Sequence, residues 1–343
     1  MKTIAMCALL AALAFGLLPG GYEKAAAPEK DLVLLVEAGE EAEASRKAAS
    51  ARQNESEAAM TQASPDAQTV RLLDSGAVTE LSMEDYLTGV LLSEMPADFE
   101  AEARKAQAVA ARTFTCRKRL RSKHEEADVC ADSSCCQAWT SREQLRQKYG
   151  ENFDAVWSAA REAVRQTEGE VLTYDGQLID AVYFSCSGGA TEAAVAVWGT
   201  DVPYLQAVES PGEEAAPRFS SRAVFSPEEF SQRLMKESPD VRLDGSPDTW
   251  LGEMTRSAGG GAAACSIGGI SFSGTQLRRM FALNSTRFTL SYQDGNFVFD
   301  VTGFGHRVGM SQYGAQTMAQ LGFSYRTILE YYYQGAELEK ADF

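Results

Sequence analysis

The sequence is poor in histidine, in positive charge and in long apolar runs, and each shortage excludes something. Only two of its 343 residues are His, so a catalytic zinc held by three imidazoles is ruled out. Lys and Arg number 32 against 48 Asp and Glu, a net charge of −16. A nucleic-acid backbone is held by clustered cations, so no nucleic-acid partner is expected. Seven Cys, an odd number, are too sparse in so long a chain for a fold built on disulfides. The longest apolar run, Ile4 to Leu18, has Lys2 as the only charge before it and ends at Pro19-Gly20-Gly21. It is shorter than the roughly 20 residues that usually span a bilayer. Residues 1–20 therefore read as a signal peptide or a membrane anchor, with Ala25-Ala26-Ala27 as a small-residue cleavage site. Cys7 inside the run is a small hydrophobe. Either reading places the rest of the chain outside the cytoplasm.

What remains is ordinary globular material, 45% hydrophobic and 23% charged, which excludes wholesale disorder. Residues 21–66 are rich in Ala and Glu, and Gly39 to Ser64 holds almost no large apolar side chain. Such a stretch buries no core and reads as a tether. A folded region of residues 67–338 follows, carrying most of the negative charge. Thr69–Leu73, Asp74-Ser75-Gly76 and Val78–Leu81 predict a hairpin. Ser82 with Asp85 three residues on starts a helix that Pro96 ends, and Asp98 is the expected cap of a second helix running to about Leu120. Asp175-Gly176 and Asp294-Gly295 mark two further hairpins, Glu170–Tyr174 with Leu178–Phe184 and Phe288–Tyr292 with Phe297–Val301. Helices are expected after Ser226-Pro227-Glu228-Glu229 and near Thr275. Gly259-Gly260-Gly261 reads as a flexible joint. Hairpins interspersed with helices predict an α+β fold of mixed antiparallel sheets with packed helices, in one large catalytic region.

Four constellations carry chemistry. Glu94, in Leu91-Leu92-Ser93-Glu94-Met95-Pro96, is a carboxyl among apolar neighbours. Lost solvation raises its pKa and keeps a proton available for general acid work; the bland alternative is a surface Glu near a helix end. His124, Cys130, Cys135 and Cys136 fall within thirteen residues, a donor set suited to a closed tetrahedral zinc site of structural type, with a disulfide and spare thiols as the alternative. Ser185, Ser187, Gly188, Gly189, Thr191 and Glu192 follow a strand, where a glycine turn exposes backbone N–H groups to a ligand. Cys186 among them is a nucleophile or a buried thiol. Gly303 to Gly314 crowds four glycines with His306, Ser311 and Gln312, polar groups that fit a polyhydroxylated ligand or a tight connection around a core His.

Together these motifs resemble the stage II sporulation protein D (SpoIID) family. The resemblance runs through Glu84–Val90, Ser93-Glu94-Met95-Pro96, Glu102–Phe114, Ser185–Glu192, Trp198-Gly199, Pro203-Tyr204-Leu205 and Gly305–Ala315. It covers residues 69 to 336, in order, and the amidase-enhancer proteins share the domain. It implies a lytic transglycosylase that cuts peptidoglycan glycan strands, preferably stripped of stem peptides. The implied setting is the space between mother cell and forespore during engulfment, beside stage II sporulation proteins M and P, with the N-terminal segment in the membrane. It also implies Glu94 as catalytic acid, with Lys105 and Arg112 at positions used for activity. Seven residues apart on one helix, those two are expected on one face, near Glu94 or the sugar. The family's zinc-loop ligands fall on His124, Cys130 and Cys136, and Cys135 stands where the family has His. Cys186 stands in place of a usual Thr and Arg307 in place of a Gly, so the backbone at Arg307 is expected to differ. Two rival readings are a glycan-binding activator of an amidase and a Cys186/His306 thiol hydrolase.

Overall fold

The computed structural model describes residues 69–341; the N-terminal apolar segment and the tether lie outside them. The first hairpin forms as its turn dictates. Strands β1 (Thr69–Asp74) and β2 (Ala77–Ser82) pair antiparallel, with Thr69 opposite Ser82. Ser75 and Gly76 between them both have positive φ, as a two-residue hairpin turn requires. Ser82 then accepts a bond from the Asp85 N–H (3.0 Å) and starts α1 (Met83–Glu94). Met95, extended before Pro96, ends it.

Helix α2 (Ala101–Leu120) is the centre of the larger lobe. Asp98 does not cap it. The N-cap is Glu100, whose N–H goes to the distant Gln316 side chain (2.7 Å) because Pro96 to Phe99 close a turn of their own. Ala103, Ala106, Ala108, Ala110 and Ala111 are all buried, so neighbours approach this helix closely on several sides. Packed on it are α1, α4 (Phe153–Gln166), α8 (Gln312–Gln320), α9 (Tyr325–Tyr332) and strand β4 (Glu170–Tyr174). The short helix α3 (Arg142–Tyr149) leads into α4.

The second expected hairpin is shorter than its sequence suggests. Only β5 (Gln177–Leu178) returns along β4. The chain then leaves at Ile179 to Val182, where Asp180 pairs with Arg117 (2.6 Å). Strand β6 (Tyr183–Phe184) instead runs parallel to Met310–Ser311, joining two motifs 126 residues apart. The short elements β3 (Val129–Cys130), β7 (Gly189–Ala190), α5 (Ala194–Trp198) and β8 (Glu209–Ser210) complete the larger lobe's connections.

Residues 220–302 build a second hydrophobic core, so the expected single region has two. Strand β9 (Ser220–Phe225) leads into helix α6 (Pro227–Glu237), whose Ser226–Glu229 capping box is complete. A three-stranded antiparallel sheet, β10 (Leu251–Arg256), β11 (Ala262–Ile267) and β12 (Ile270–Ser273), precedes α7 (Gly274–Phe281). The hairpin β13 (Arg287–Gln293) and β14 (Asn296–Thr302) pairs with β9, Phe288 facing Val301 and Leu290 facing Phe299. Phe230 stacks on Phe297 with centroids 3.8 Å apart, and Phe281, Phe288 and Phe299 close the cluster. Each such ring contributes roughly 1.5–3 kcal/mol by burial. The lobe's entry and exit are tied together, the Gly303 N–H donating to the Phe219 carbonyl (2.7 Å).

The glycine triplet is not a flexible joint. Gly260 and Ser257 close a turn through backbone bonds, and a Cβ on Gly259 or Gly261 would overlap Thr191 or Glu192 of the larger lobe. These glycines permit close contact rather than motion. Among the described residues no helix is long and apolar enough to cross a membrane.

Candidate active site and metal cluster

Glu94 ends α1 half-buried, at the wall of a cleft of about 530 Å³. Its Oε1 accepts the Ala138 N–H (2.8 Å) and its Oε2 faces the Gln312 amide (3.5 Å). Burial raises its pKa, and those two donors only partly oppose the shift. Loop 137–140, which supplies the Ala138 N–H, is itself held against α1. Ser93 Oγ donates to the Gly89 carbonyl (2.7 Å) and accepts from Thr140 Oγ1 (2.8 Å). Trp139 lies over Gly89, where a Cβ would collide with its indole. The expectation from Ser93-Glu94-Met95-Pro96 alone lacked this loop.

Around Glu94 the cleft is lined by Gln137, Tyr183, Phe184, Ser185, His306 and Gln312, with Arg278 reaching in from α7 of the smaller lobe. Tyr183 donates to Gln137 Oε1 (2.7 Å), and Gln137 donates to Tyr86 and Thr115. His306 packs between Phe184 and Trp198, with centroids 5.6 and 5.5 Å away. Its Nδ1 accepts the Val308 N–H (3.1 Å), which assigns the ring proton to Nε2. Burial lowers its pKa to about 4, so it is neutral near pH 7. Trp198, packed on His306, is 47% exposed, an unusual state for so large an apolar ring.

Of the residues expected to meet a ligand, Glu94, Ser185, His306 and Gln312 line this cleft. The others turn inward. Ser187 N–H, Ser187 Oγ and Gly188 N–H all donate to Oε2 of Glu213 (2.6, 2.7 and 2.9 Å). Ser210 and Ser311 donate to its Oε1. Thr191 bonds the backbone of Val208 (2.9 Å). Gly189 lies at positive φ beside Arg287. Glu192 forms a buried ion pair with Arg307 (3.0 Å) and accepts from Ser257 and Gly261. Arg307 lies at φ +68°, the left-handed region that glycine favours, and its guanidinium reaches the carbonyls of Ser187, Ala190 and Gly259. The Ser185–Glu192 motif therefore joins the two lobes.

Neither Lys105 nor Arg112 lines the cleft. Lys105 pairs with Glu102 and sits 5.0 Å over the Tyr325 ring. Arg112 is fully buried and donates to the Val164 (3.0 Å) and Glu170 (3.2 Å) carbonyls. Both anchor α2 to its neighbours. Cys186 is buried without lining the cleft, and burial pushes its thiol up to about 12, which removes the nucleophile a thiol hydrolase needs. Arg278, Gln137 and Glu213 were missed from sequence. Only Gln137, next to Cys136, had a local signal. A larger hollow of about 710 Å³ on the smaller lobe, lined by Arg222, Arg256, Arg287 and Asp300, has no carboxyl available as an acid, since Asp300 is paired with Arg222.

The four metal-type residues do come together. The donor atoms of His124, Cys130, Cys135 and Cys136 all lie within 4.8 Å of one another. Cys135 and Cys136 sulfurs are each 3.8 Å from His124 Nε2. Tetrahedral zinc with ordinary bond lengths sets such donors about 3.5–3.8 Å apart. Adjacent cysteines can share one centre because both their N–H groups donate to the Asp132 carbonyl (3.0 and 2.8 Å), curling the peptide around the site. The short strand Val129–Cys130, parallel to β1, fixes the loop's other end. This cluster can hold a metal ion, and Cys136 is two residues from the N–H that grips Glu94.

The family profile described as "Stage II sporulation protein" matches residues 74–174, the stretch holding α1, Glu94 and the metal-type loop. "Stage II sporulation protein D" of Bacillus subtilis (strain 168) is 36% identical over 310 residues, covering 89% of this chain and 88% of its own. Its namesake in Bacillus amyloliquefaciens is 37% identical over 283 residues, or 81% and 80% of the two chains. The "Amidase enhancer" of Bacillus subtilis (strain 168) is 30% identical over 304 residues, 74% of this chain but 40% of its own length. The chain belongs to the stage II sporulation protein D family.

Proposed function

We propose that the protein is a peptidoglycan lytic transglycosylase of sporulation, cutting between N-acetylmuramic acid and N-acetylglucosamine. The observation that carries this reading is Glu94, a carboxyl of raised pKa held by Ala138 at the wall of a disaccharide-sized cleft. Protonated Glu94 gives its proton to the bridging oxygen as the bond to the muramoyl C1 breaks, and the N-acetyl oxygen of the same sugar stabilises the cationic centre. Glu94, now a carboxylate, takes the proton of the muramoyl C6 hydroxyl as that oxygen bonds to C1. The product is a 1,6-anhydro end, no water is consumed, and Glu94 is again protonated. One residue acting as acid and then base suits a single poised pKa. The amide of Gln312 supplies a hydrogen bond to the sugar, neutral His306 forms part of the wall, and exposed Trp198 beside it offers an apolar face.

In this reading His124, Cys130, Cys135 and Cys136 hold zinc. With four protein ligands the ion is structural and supplies a fixed fold for the loop carrying Ala138. Membership of the family is the ground for assigning a place between mother cell and forespore, a membrane-held N-terminus, and stage II sporulation proteins M and P as partners. The amidase-enhancer relative supports a second reading, a glycan-binding activator of an amidase. Mass spectrometry of stripped glycan strands after incubation with wild type or Glu94→Gln separates the two. The transglycosylase yields anhydro-muramoyl ends that the variant does not. An activator yields none with either protein and speeds a partner amidase.

A further inference from the structure

Among the described residues Arg278 has no counter-ion. It stands near the end of α7, its Nε donating to the Leu283 carbonyl (3.2 Å), and no carboxylate of the described residues lies within ion-pair distance of it. The chain carries a large excess of acids over bases, and Arg307, at the contact between the lobes, is bonded to Ser187, Glu192 and Gly259. Arg278 and Glu94 are the charged side chains lining the cleft, since His306 beside them is neutral. Partial burial weakens the hold of Arg278 on its proton, the mark of a cation that has lost solvent and gained no anion. Its side chain lines the cleft, and among the described residues its guanidinium has no hydrogen bond beyond the one to Leu283.

We propose that Arg278 binds the free lactyl carboxylate of the N-acetylmuramic acid whose C1 is cleaved. The inference rests on the glycan-cleaving reading above and deepens it by naming how the substrate is chosen. The lactyl ether is carried by the same ring that reacts at C1, so its carboxylate enters the same cleft as the bond facing Glu94. A guanidinium matches a carboxylate with two parallel hydrogen bonds. On a strand that still bears stem peptides this group is a neutral amide, which leaves the half-desolvated guanidinium unpaired. A stripped strand restores the missing anion. The smaller lobe thus contributes selectivity to chemistry performed by the larger one.

The test uses the full chain with Glu94→Gln, so that strands stay intact. Binding is measured to stripped strands and to the same strands with lactyl carboxyls converted to neutral methylamides. The proposal expects the charged strands to bind tighter by on the order of tenfold or more. Arg278→Gln should bring the ratio towards one, and Arg278→Lys should keep part of it. Equal affinity of the two strands for the Arg278-containing protein would overturn the proposal without using any Arg278 variant. So would an unchanged ratio in a folded Arg278→Gln protein. Because the readout is binding, it stands apart from the anhydro-end assay, whose failure would remove the transglycosylase reading instead.

Discussion

Glu94 and Glu213 are the same side chain under the same pressure, and the molecule uses them in opposite ways. Burial raises the pKa of both. Glu213 is enclosed, and five donors converge on it from Ser187, Gly188, Ser210 and Ser311. Glu94 has two, one of them long, and an open cleft in front of it. A perturbed carboxyl is therefore not an acid catalyst by virtue of the perturbation. It becomes one where its oxygens are left under-bonded and a ligand can reach them.

The largest expected effect breaks this symmetry directly. Glu94→Gln should lower glycan cleavage by about 10²–10⁴-fold, the usual contribution of a general acid, and leave the melting temperature near wild type. Glu213→Gln should do the reverse. Its amide N–H₂ would face donors already in place, so a loss of about 2–4 kcal/mol is expected in urea unfolding. Wild-type stability in that variant would mean that the five-donor cluster is not structural.

Metal removal comes next. Cys136→Ser should lower the bound metal below the one ion per chain that native mass spectrometry is expected to find in wild type. It should also lower cleavage, because loop 137–140 loses the anchor that aims the Ala138 N–H. Full metal content in the variant would show that Cys136 is not needed to hold the ion.

A smaller effect concerns acid. His306 is buried neutral, its pKa lowered from 6.5 to about 4. A base with a depressed folded-state pKa stabilises the fold fully above pH 6.5 and loses that contribution as pH falls towards 4. His306→Asn should therefore flatten the stability profile across this window. Parallel profiles for the two proteins would contradict burial of the neutral ring. The smallest effect is on Gln312. Its amide is a donor that lowers the Glu94 pKa, so Gln312→Leu should move the high-pH fall of kcat/KM upward, because the acid stays protonated further. A downward shift would reverse the assigned sign.

These sites were not equally legible in the sequence. The β1–β2 and β13–β14 hairpins were readable because Ser-Gly and Asp-Gly turns are local signals. The start of α1 was readable from Ser82, and the metal-type cluster because four donors fall within thirteen residues. Glu94 was visible as a carboxyl in an apolar run. Its partners were not, because Ala138 and Gln312 lie 44 and 218 residues away. The Ser185–Glu192 and Gly303–Gly314 motifs were legible as important, but their internal role was hidden, since the acid they surround, Glu213, has no motif of its own. The glycine triplet was misread because glycine marks both freedom and close approach, and only the neighbours Thr191 and Glu192 distinguish them. Arg278 had no signal at all, its significance being the absence of an acidic partner among the described residues.

The most direct measurement of the central claim is the rate at which anhydro-muramoyl ends appear on stripped strands with Glu94→Gln and with Glu213→Gln, each assayed at a temperature where the protein is folded. The account predicts that Glu94→Gln abolishes their formation while folded Glu213→Gln still produces them. Anhydro ends released at wild-type rate by Glu94→Gln would contradict it.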